Sequence, residues 1–159
     1  MIKAATTSVD DTRALAAGVA QLAAPGDLVI LAGDLGAGKT AFAQGFAQGL
    51  GVEEPVTSPA FILVRTYEGR LPMVHLDVYR LDTMQELVDL GIAELLDEGA
   101  VTLIEWGDAV SAGLPADFLE VRLEPGAGPD DREVRIRTVG PAWPARARAL
   151  KEAVAKWTV

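Results

Sequence analysis

Residues 27–51 run DLVILAGDLGAGKTAFAQGFAQGLG, and no other stretch restricts the fold as tightly. The apolar segment DLVILAG is bounded by turn residues. Its length and content suit a strand buried on both faces, as in a parallel sheet. It passes directly into GDLGAGKT and then into KTAFAQGFAQGLG, where Phe42, Phe46 and Leu50 recur at helical spacing. Gly51 stands where a helix favours a left-handed cap. Gly45 and Gly49 each cost about 1 kcal/mol against alanine inside a helix, which points to close packing on that side.

The order Gly33-x4-Gly38-Lys39-Thr40 fits the phosphate-loop pattern G-x-x-x-x-G-K-[ST]. Each residue type has a physical reason. Glycines adopt positive φ and let the backbone approach an anion. Successive backbone N–H groups form a concave nest, and the helix starting near Lys39 adds the positive end of its dipole. Lys39 is placed to reach the β- and γ-phosphates, and the Thr40 hydroxyl to ligate Mg²⁺. The candidate nucleotide contacts are therefore Asp34, Leu35, Gly36, Ala37, Gly38, Lys39 and Thr40. A ligand-free glycine turn is the competing reading. The strand before the loop and the helix after it favour phosphate.

Such a loop needs acids for metal and water, and two stand at the ends of apolar runs: Asp77 after MVHL and Glu105 after VTLI. A period of two puts His75, Asp77 and Tyr79 on one strand face and Val74, Leu76 and Val78 on the other. The bland reading makes each acid a salt-bridge or turn residue. His75, the sole histidine, reads first as a hydrogen-bonded packing residue.

The remaining chain supplies alternating elements. SVDDTRALAAGVAQLAAPGD is a helix capped by Ser8, with Asp11 three residues on, and ended at Pro25-Gly26. FILVRTYEGRLPMVHLDVYRL is a hairpin around EGR. DTMQELVDLGIAELLDEG is a helix with a Thr83–Glu86 capping box and Met84, Leu87, Val88, Ile92, Leu95 and Leu96 in helical period. AVTLIEW is a buried strand. FLEVRLEP and REVRIRTV alternate strictly and each has one wet face. A basic helix is expected over 144–157. The order α-β-α-ββ-α-β-ββ-α predicts one α/β domain over residues 1–159, a P-loop NTPase-like fold with a mixed, centrally parallel sheet flanked by helices.

Bulk properties narrow the function. The chain has 159 residues, half of them hydrophobic, which suffices for one core and argues against disorder. It has no cysteine, so disulfides and thiolate metal sites are excluded. No apolar leader opens it and no run is long enough for a membrane span, so a cytoplasmic location is expected. The net charge is −9, but residues 141–159 carry +3, from Arg146, Arg148, Lys151 and Lys156 against Glu152. Residues 1–140 therefore carry −12, a poor surface for capturing nucleic acid directly.

GDLGAGKT, TSPAFILV, HLDVYRL and LIEW, in this order and spacing, resemble the bacterial TsaE (YjeE-like) family. The resemblance covers about residues 1–140 and implies a small P-loop ATPase required for threonylcarbamoyladenosine in tRNA. It implies ATP and Mg²⁺ as cofactors, with Lys39, Thr40 and the loop amides at the nucleotide. It implies Thr40 and Glu105 as metal ligands, Asp77 as the catalytic acid holding metal or water, and Trp106 beside Glu105. It also implies the partners TsaB and TsaD. TsaD would be the transferase acting on adenosine 37, and tRNA would be met through the complex. Ser58-Pro59-Ala60 departs from the family's usual Ser-Pro-Thr, which removes one hydroxyl from a switch-like loop.

Three rivals lie outside that reading. A small-molecule kinase would want an arginine-bearing lid, which the stretch after Glu105 does not offer. A GTPase would want an Asn-Lys-x-Asp guanine reader, which the chain lacks. A non-hydrolysing, nucleotide-gated adaptor shares every feature above and differs only in phosphate release. Arg135 and Arg137 share a strand face with Glu133 and read as surface ion-pair partners.

Overall fold

The apolar segment of residues 28–32 lies in the middle of a seven-stranded sheet, and all five of its side chains are buried. The computed structural model describes residues 1–34, 36–57, 64–78, 91–105 and 115–159. Its strands are β1 (Ile2–Thr6), β2 (Leu28–Ala32), β3 (Val64–Tyr67), β4 (Met73–Asp77), β5 (Val101–Glu105), β6 (Phe118–Pro125) and β7 (Arg132–Val139). Its helices are α1 (Val9–Ala20), α2 (Lys39–Gly49), α3 (Ile92–Asp97) and α4 (Ala147–Ala153). The sheet order is β1-β7-β6-β2-β5-β4-β3. β2 runs parallel to both β5 and β6, and β4 parallel to β5. The outer pairs β1–β7, β6–β7 and β3–β4 are antiparallel. The expected mixed sheet with a parallel centre is what forms.

Strand alternation splits the core in two. Val29, Leu31, Met73, Val101 and Leu103 face α1 and α2 and pack with Leu15, Val19, Phe42, Phe46 and Leu50. Leu28, Ile30, Val74, Leu76 and Ile104 form a second cluster on the opposite face. That face turns wet over β6 and β7. There Arg137 pairs with Glu120 and Arg135 lies 3.9 Å from Glu124, as surface ion pairs rather than catalytic arginines.

Local signals decide the helix ends. The Ser8 Oγ accepts from the Asp11 N–H at 3.0 Å, and Asp11 Oδ2 accepts from the Thr7 N–H, so the expected cap forms. Gly51 at φ 78° closes α2: its N–H donates to Gln48 O, and the Val52 N–H donates to Ala47 O. Those two bonds make a Schellman cap. The helix expected over 82–99 is not continuous: Gly91, at φ 73°, is the N-cap of a helix that starts afresh and covers Ile92–Asp97. The expected Thr83–Glu86 box and Met84, Leu87 and Val88 lie outside the described residues.

Two further expectations need correction. The first element is a strand rather than the expected helix: Ile2–Thr6 pairs with Arg132–Ile136. IKAAT has strand formers only at its two ends, Ile2 and Thr6, so the partner strand rather than local propensity selects the conformation. The C-terminal segment is not one helix over 144–157. It is a 3₁₀ turn at Pro144–Arg146, then α4, then a second turn at Ala155–Trp157. The breaks serve long-range anchors. Arg146 donates to both carboxylate oxygens of the buried Asp27 and stacks 3.9 Å from the ring centre of buried Trp143. The Trp157 indole donates to Asp11 at 2.6 Å, a bond that holds this carboxyl below its ordinary pKa. The Val159 N–H donates to Lys3 O and covers the edge of β1.

α1 and α2 approach closely because two glycines permit it. A Cβ on Gly45 would lie 2.1 Å from Arg13 O, and one on Gly49 would lie 2.6 Å from Ala17 O. The obstacle in each case is backbone, so relief requires the helices to part. Gly45→Ala should therefore lower stability by about 1–3 kcal/mol, despite a helix-propensity gain of about 1 kcal/mol. Urea denaturation measures it, and an unchanged or raised midpoint contradicts the close approach.

Candidate functional site

β2 ends at Ala32, and the chain turns at once into the glycine loop and α2. Gly33, Gly36 and Gly38 all have positive φ, at 140°, 80° and 107°. Gly33 is needed twice over, since a Cβ there would lie 2.4 Å from Leu123 O of β6. Gly38 is the N-cap of α2 and supplies no side-chain cap, so no side chain competes for the first-turn amides. Among the described residues nothing lies within 4 Å of a Cβ built on Gly36. Asp34 and Gly36 are exposed, Ala37 is buried, and Gly38 and Thr40 are half-buried; Leu35 lies outside the described residues.

Lys39 opens α2 and is only 5% exposed. Its Nζ donates to Gly33 O at 2.7 Å and to Asp34 O at 2.8 Å. The ammonium thus reaches back to two carbonyls of its own loop. Phosphate oxygens are stronger acceptors for a cation, so the donor set fits an anion.

The two acids come together by register. In the parallel ladders Leu31 pairs with Glu105, and Glu105 with Asp77. Three adjacent strands thus end in one row, and the glycine loop starts two residues beyond Leu31. Alternation puts His75, Asp77, Leu103 and Glu105 on the face that α2 covers. The expected alternation of β4 is present, but its polar side is no water-facing surface: all five residues of β4 are buried. His75, Asp77 and Glu105 are at most 6% exposed.

His75 supplies the contact that spacing did not reveal. Its Nε2 lies 2.6 Å from Glu105 Oε2, and both groups are buried. Among the described residues His75 Nδ1 has no hydrogen-bond partner, so Glu105 is the polar anchor of the ring. The reading of His75 as a hydrogen-bonded packing residue is correct as far as it goes. Its partner is a candidate site acid, and only cross-strand register could have disclosed that. Arg132 is the other residue that sequence reasoning passed over. From the start of β7 it donates to Ala37 O at 2.9 Å and Gly36 O at 3.3 Å, on the loop itself.

No group of three or more His, Cys, Asp or Glu side chains among the described residues forms a metal cage. Mg²⁺ takes oxygen ligands, often one or two carboxylates alongside phosphate and water. Thr40, Glu105 and Asp77 fit such a donor set. Trp106, Tyr79 and the Ser58-Pro59-Ala60 departure lie outside the described residues. A separate cavity of about 310 Å³ lies by Arg13, Gln44, Gln48 and Glu53. There Gln44 is already engaged, accepting from Arg13 and donating to Val56 O.

Comparison with known proteins gives a consistent result. A family model described as "Threonylcarbamoyl adenosine biosynthesis protein TsaE" matches residues 6–134. A Bacillus subtilis protein named tRNA threonylcarbamoyladenosine biosynthesis protein TsaE is 41% identical over 140 residues, covering 87% of each chain. Its namesake from Treponema pallidum is 41% identical, over 77% of this chain and 90% of its own. The crystal structure of YdiB from Bacillus subtilis superposes with a TM-score of 0.78 at 36% identity, covering 98% of this chain and 97% of that one.

The His75–Glu105 contact makes a measurable claim. A buried, charge-assisted hydrogen bond is worth about 1.5–3 kcal/mol, and an orphaned partner loses its solvation as well. A double-mutant cycle of His75→Ala and Glu105→Gln, read by urea denaturation, should give a coupling above about 1 kcal/mol. Additive effects would make the contact incidental.

Proposed function

This chain belongs to the TsaE family, and on that premise we propose that it binds ATP with Mg²⁺ and hydrolyses it slowly. In this reading it supports threonylcarbamoyl modification of adenosine 37 in tRNAs that read codons beginning with A. The observation that carries the nucleotide reading is the row of three strand ends. It sets a positive-φ glycine loop and a buried lysine beside two buried carboxylates.

Each residue has a task that follows from its place. Lys39 exchanges the carbonyls of Gly33 and Asp34 for phosphate oxygens. The amides of the loop and of the first turn of α2 bind and orient the phosphate chain. Mg²⁺, when bound, supplies charge neutralisation for the phosphates. Thr40 and Glu105 would hold it, and His75 fixes the Glu105 carboxylate. Asp77, at the end of the neighbouring strand, holds the metal's water or the attacking water. Lys39, Asp77 and Glu105 are the catalytic set in this proposal.

The chain is not the transferase. Its body, at −12 over residues 1–140, is unsuited to holding tRNA by itself. Of the C-terminal bases, Arg146 is committed to Asp27 and Arg148 lies 3.4 Å from Glu152, which leaves Lys151 and Lys156 as the exposed remainder. TsaB and TsaD are the proposed partners, with tRNA held by their complex and ATP driving its repeated use. A cytoplasmic location belongs to the same reading. No helix among the described residues is long and apolar enough to cross a membrane.

Reconstitution tests this reading. With limiting TsaB and TsaD and excess tRNA, several modified adenosines per complex should accumulate only when this chain and ATP are present. Lys39→Ala should weaken ATP binding more than tenfold, since a charge-assisted phosphate contact is worth about 1.5–3 kcal/mol. Asp77→Ala should keep the affinity within a few-fold and lose hydrolysis. Multiple turnovers with Lys39→Ala would leave no role for ATP on this chain. Parent-rate hydrolysis by Asp77→Ala would make that acid structural.

A further inference from the structure

Arg132 stands 92 residues beyond Thr40 in the sequence, yet it sits against the glycine loop. Its Nε donates to Ala37 O at 2.9 Å, and one terminal nitrogen donates to Gly36 O at 3.3 Å. The other terminal nitrogen donates to Pro129 O at 2.9 Å and to Asp131 O at 2.8 Å. One planar guanidinium thereby ties the β6–β7 turn to the loop through four backbone carbonyls. The turn is itself braced. The Gly126 N–H donates to Asp131 O, and Asp131 Oδ2 accepts from the Gly128 N–H.

The consequence follows from peptide geometry. In a trans peptide the C=O and the next N–H point in opposite directions. Fixing Ala37 O against Arg132 therefore fixes the Gly38 N–H on the side away from Arg132. Ala37 is flanked by Gly36 and Gly38, whose φ values of 80° and 107° mark a backbone with little side-chain restraint. Peptide planes between glycines reorient cheaply, and a phosphate site loses affinity for every amide it must first turn inward. The Ala37 N–H is already committed to Asp34 O at 3.0 Å, which leaves the Gly38 amide as the group that depends on outside support. A positive charge behind the peptide also strengthens its N–H as a donor to an anion.

We propose that Arg132 is a positioning residue for the phosphate-binding loop. Its guanidinium, held by the β6–β7 turn, grips the outer carbonyls of Gly36 and Ala37 and keeps the Gly38 amide aimed at nucleotide phosphate. In this role it acts through the loop backbone rather than on the nucleotide itself. This rests on the nucleotide reading of the loop, and it adds that the affinity of the loop is set partly from the β6–β7 turn, where β7 is the second strand away from β2.

The test is equilibrium binding of Mg·ATP and Mg·ADP to the full chain. Arg132→Gln and Arg132→Lys are compared with the parent and with Arg135→Gln, a control on the same strand in an exposed ion pair. Arg132→Gln should lose five-fold or more in affinity for both nucleotides. KM for ATP should rise while kcat at saturation stays within about two-fold, because the reacting groups are untouched. Arg132→Lys keeps stem and charge but not the fork, so it should recover only part of the loss. It carries the same comparison if Arg132→Gln fails to fold. In the nucleotide-free protein the Gly38 amide resonance should shift or broaden in both Arg132 variants and not in Arg135→Gln. Parent-like affinity in the Arg132 variants overturns the proposal, as does an equal loss in Arg135→Gln. A parent that binds neither nucleotide overturns the nucleotide reading itself.

Discussion

The structure depends on β2 being paired in parallel on both sides. β5 and β6 take up the hydrogen-bonding edges of β2, and the two halves of the core take up its faces. A strand so enclosed can leave the sheet only at its end, beyond Ala32. There Gly33 passes within contact distance of Leu123 O, where no side chain would fit. The loop is thus aimed by the sheet before any of its own bonds are counted. Because β5 and β4 run the same way, their last residues, Glu105 and Asp77, arrive level with it. Placing carboxylates at the carboxyl ends of parallel strands next to a glycine loop puts them where ligands bind in open α/β sheets.

Enclosure also explains the hydrogen bonds around the site. An ammonium, an imidazole and two carboxylates lie where water scarcely reaches, and buried charge needs partners. Lys39 finds carbonyls of its own loop, and Glu105 finds His75. These are replaceable or orienting contacts rather than rigid ones. In the proposed reading the lysine trades carbonyls for phosphate. The histidine limits the rotation of the carboxylate without occupying both oxygens. Support comes from outside as well, since the turn between β6 and β7 reaches the loop through Arg132.

Much of this was legible in the sequence, and the exceptions share a cause. The loop, α2, β5, β6 and β7 announce themselves by local pattern: glycines, helical period, a short apolar run and strict alternation. Gly45 and Gly49 announced a close helix contact because their cost in a helix asks for a reason. β1 did not announce itself, because IKAAT becomes a strand only through pairing with β7. The C-terminal segment keeps a helical composition, but the turns at either end serve Asp27, Asp11 and β1, all distant in sequence. Asp77 and Glu105 could be found as strand-end acids. Their shared row, the bond from His75 to Glu105 and the reach of Arg132 to the loop are products of sheet register, which no short window contains.

The central claim is that residues 33–40 form a nucleotide-phosphate site with Asp77 and Glu105 beside it. Titrating Mg·ATP into isotopically labelled protein and following backbone amide resonances tests it most directly. The account predicts saturable shifts largest at Gly36, Gly38, Lys39 and Thr40, with smaller ones at Asp77 and Glu105. No comparable shift should occur at Arg13, Gln44 or Gln48, which line the separate cavity. Saturable shifts centred on that cavity with a silent glycine loop, or no saturable shift at millimolar nucleotide, would contradict it.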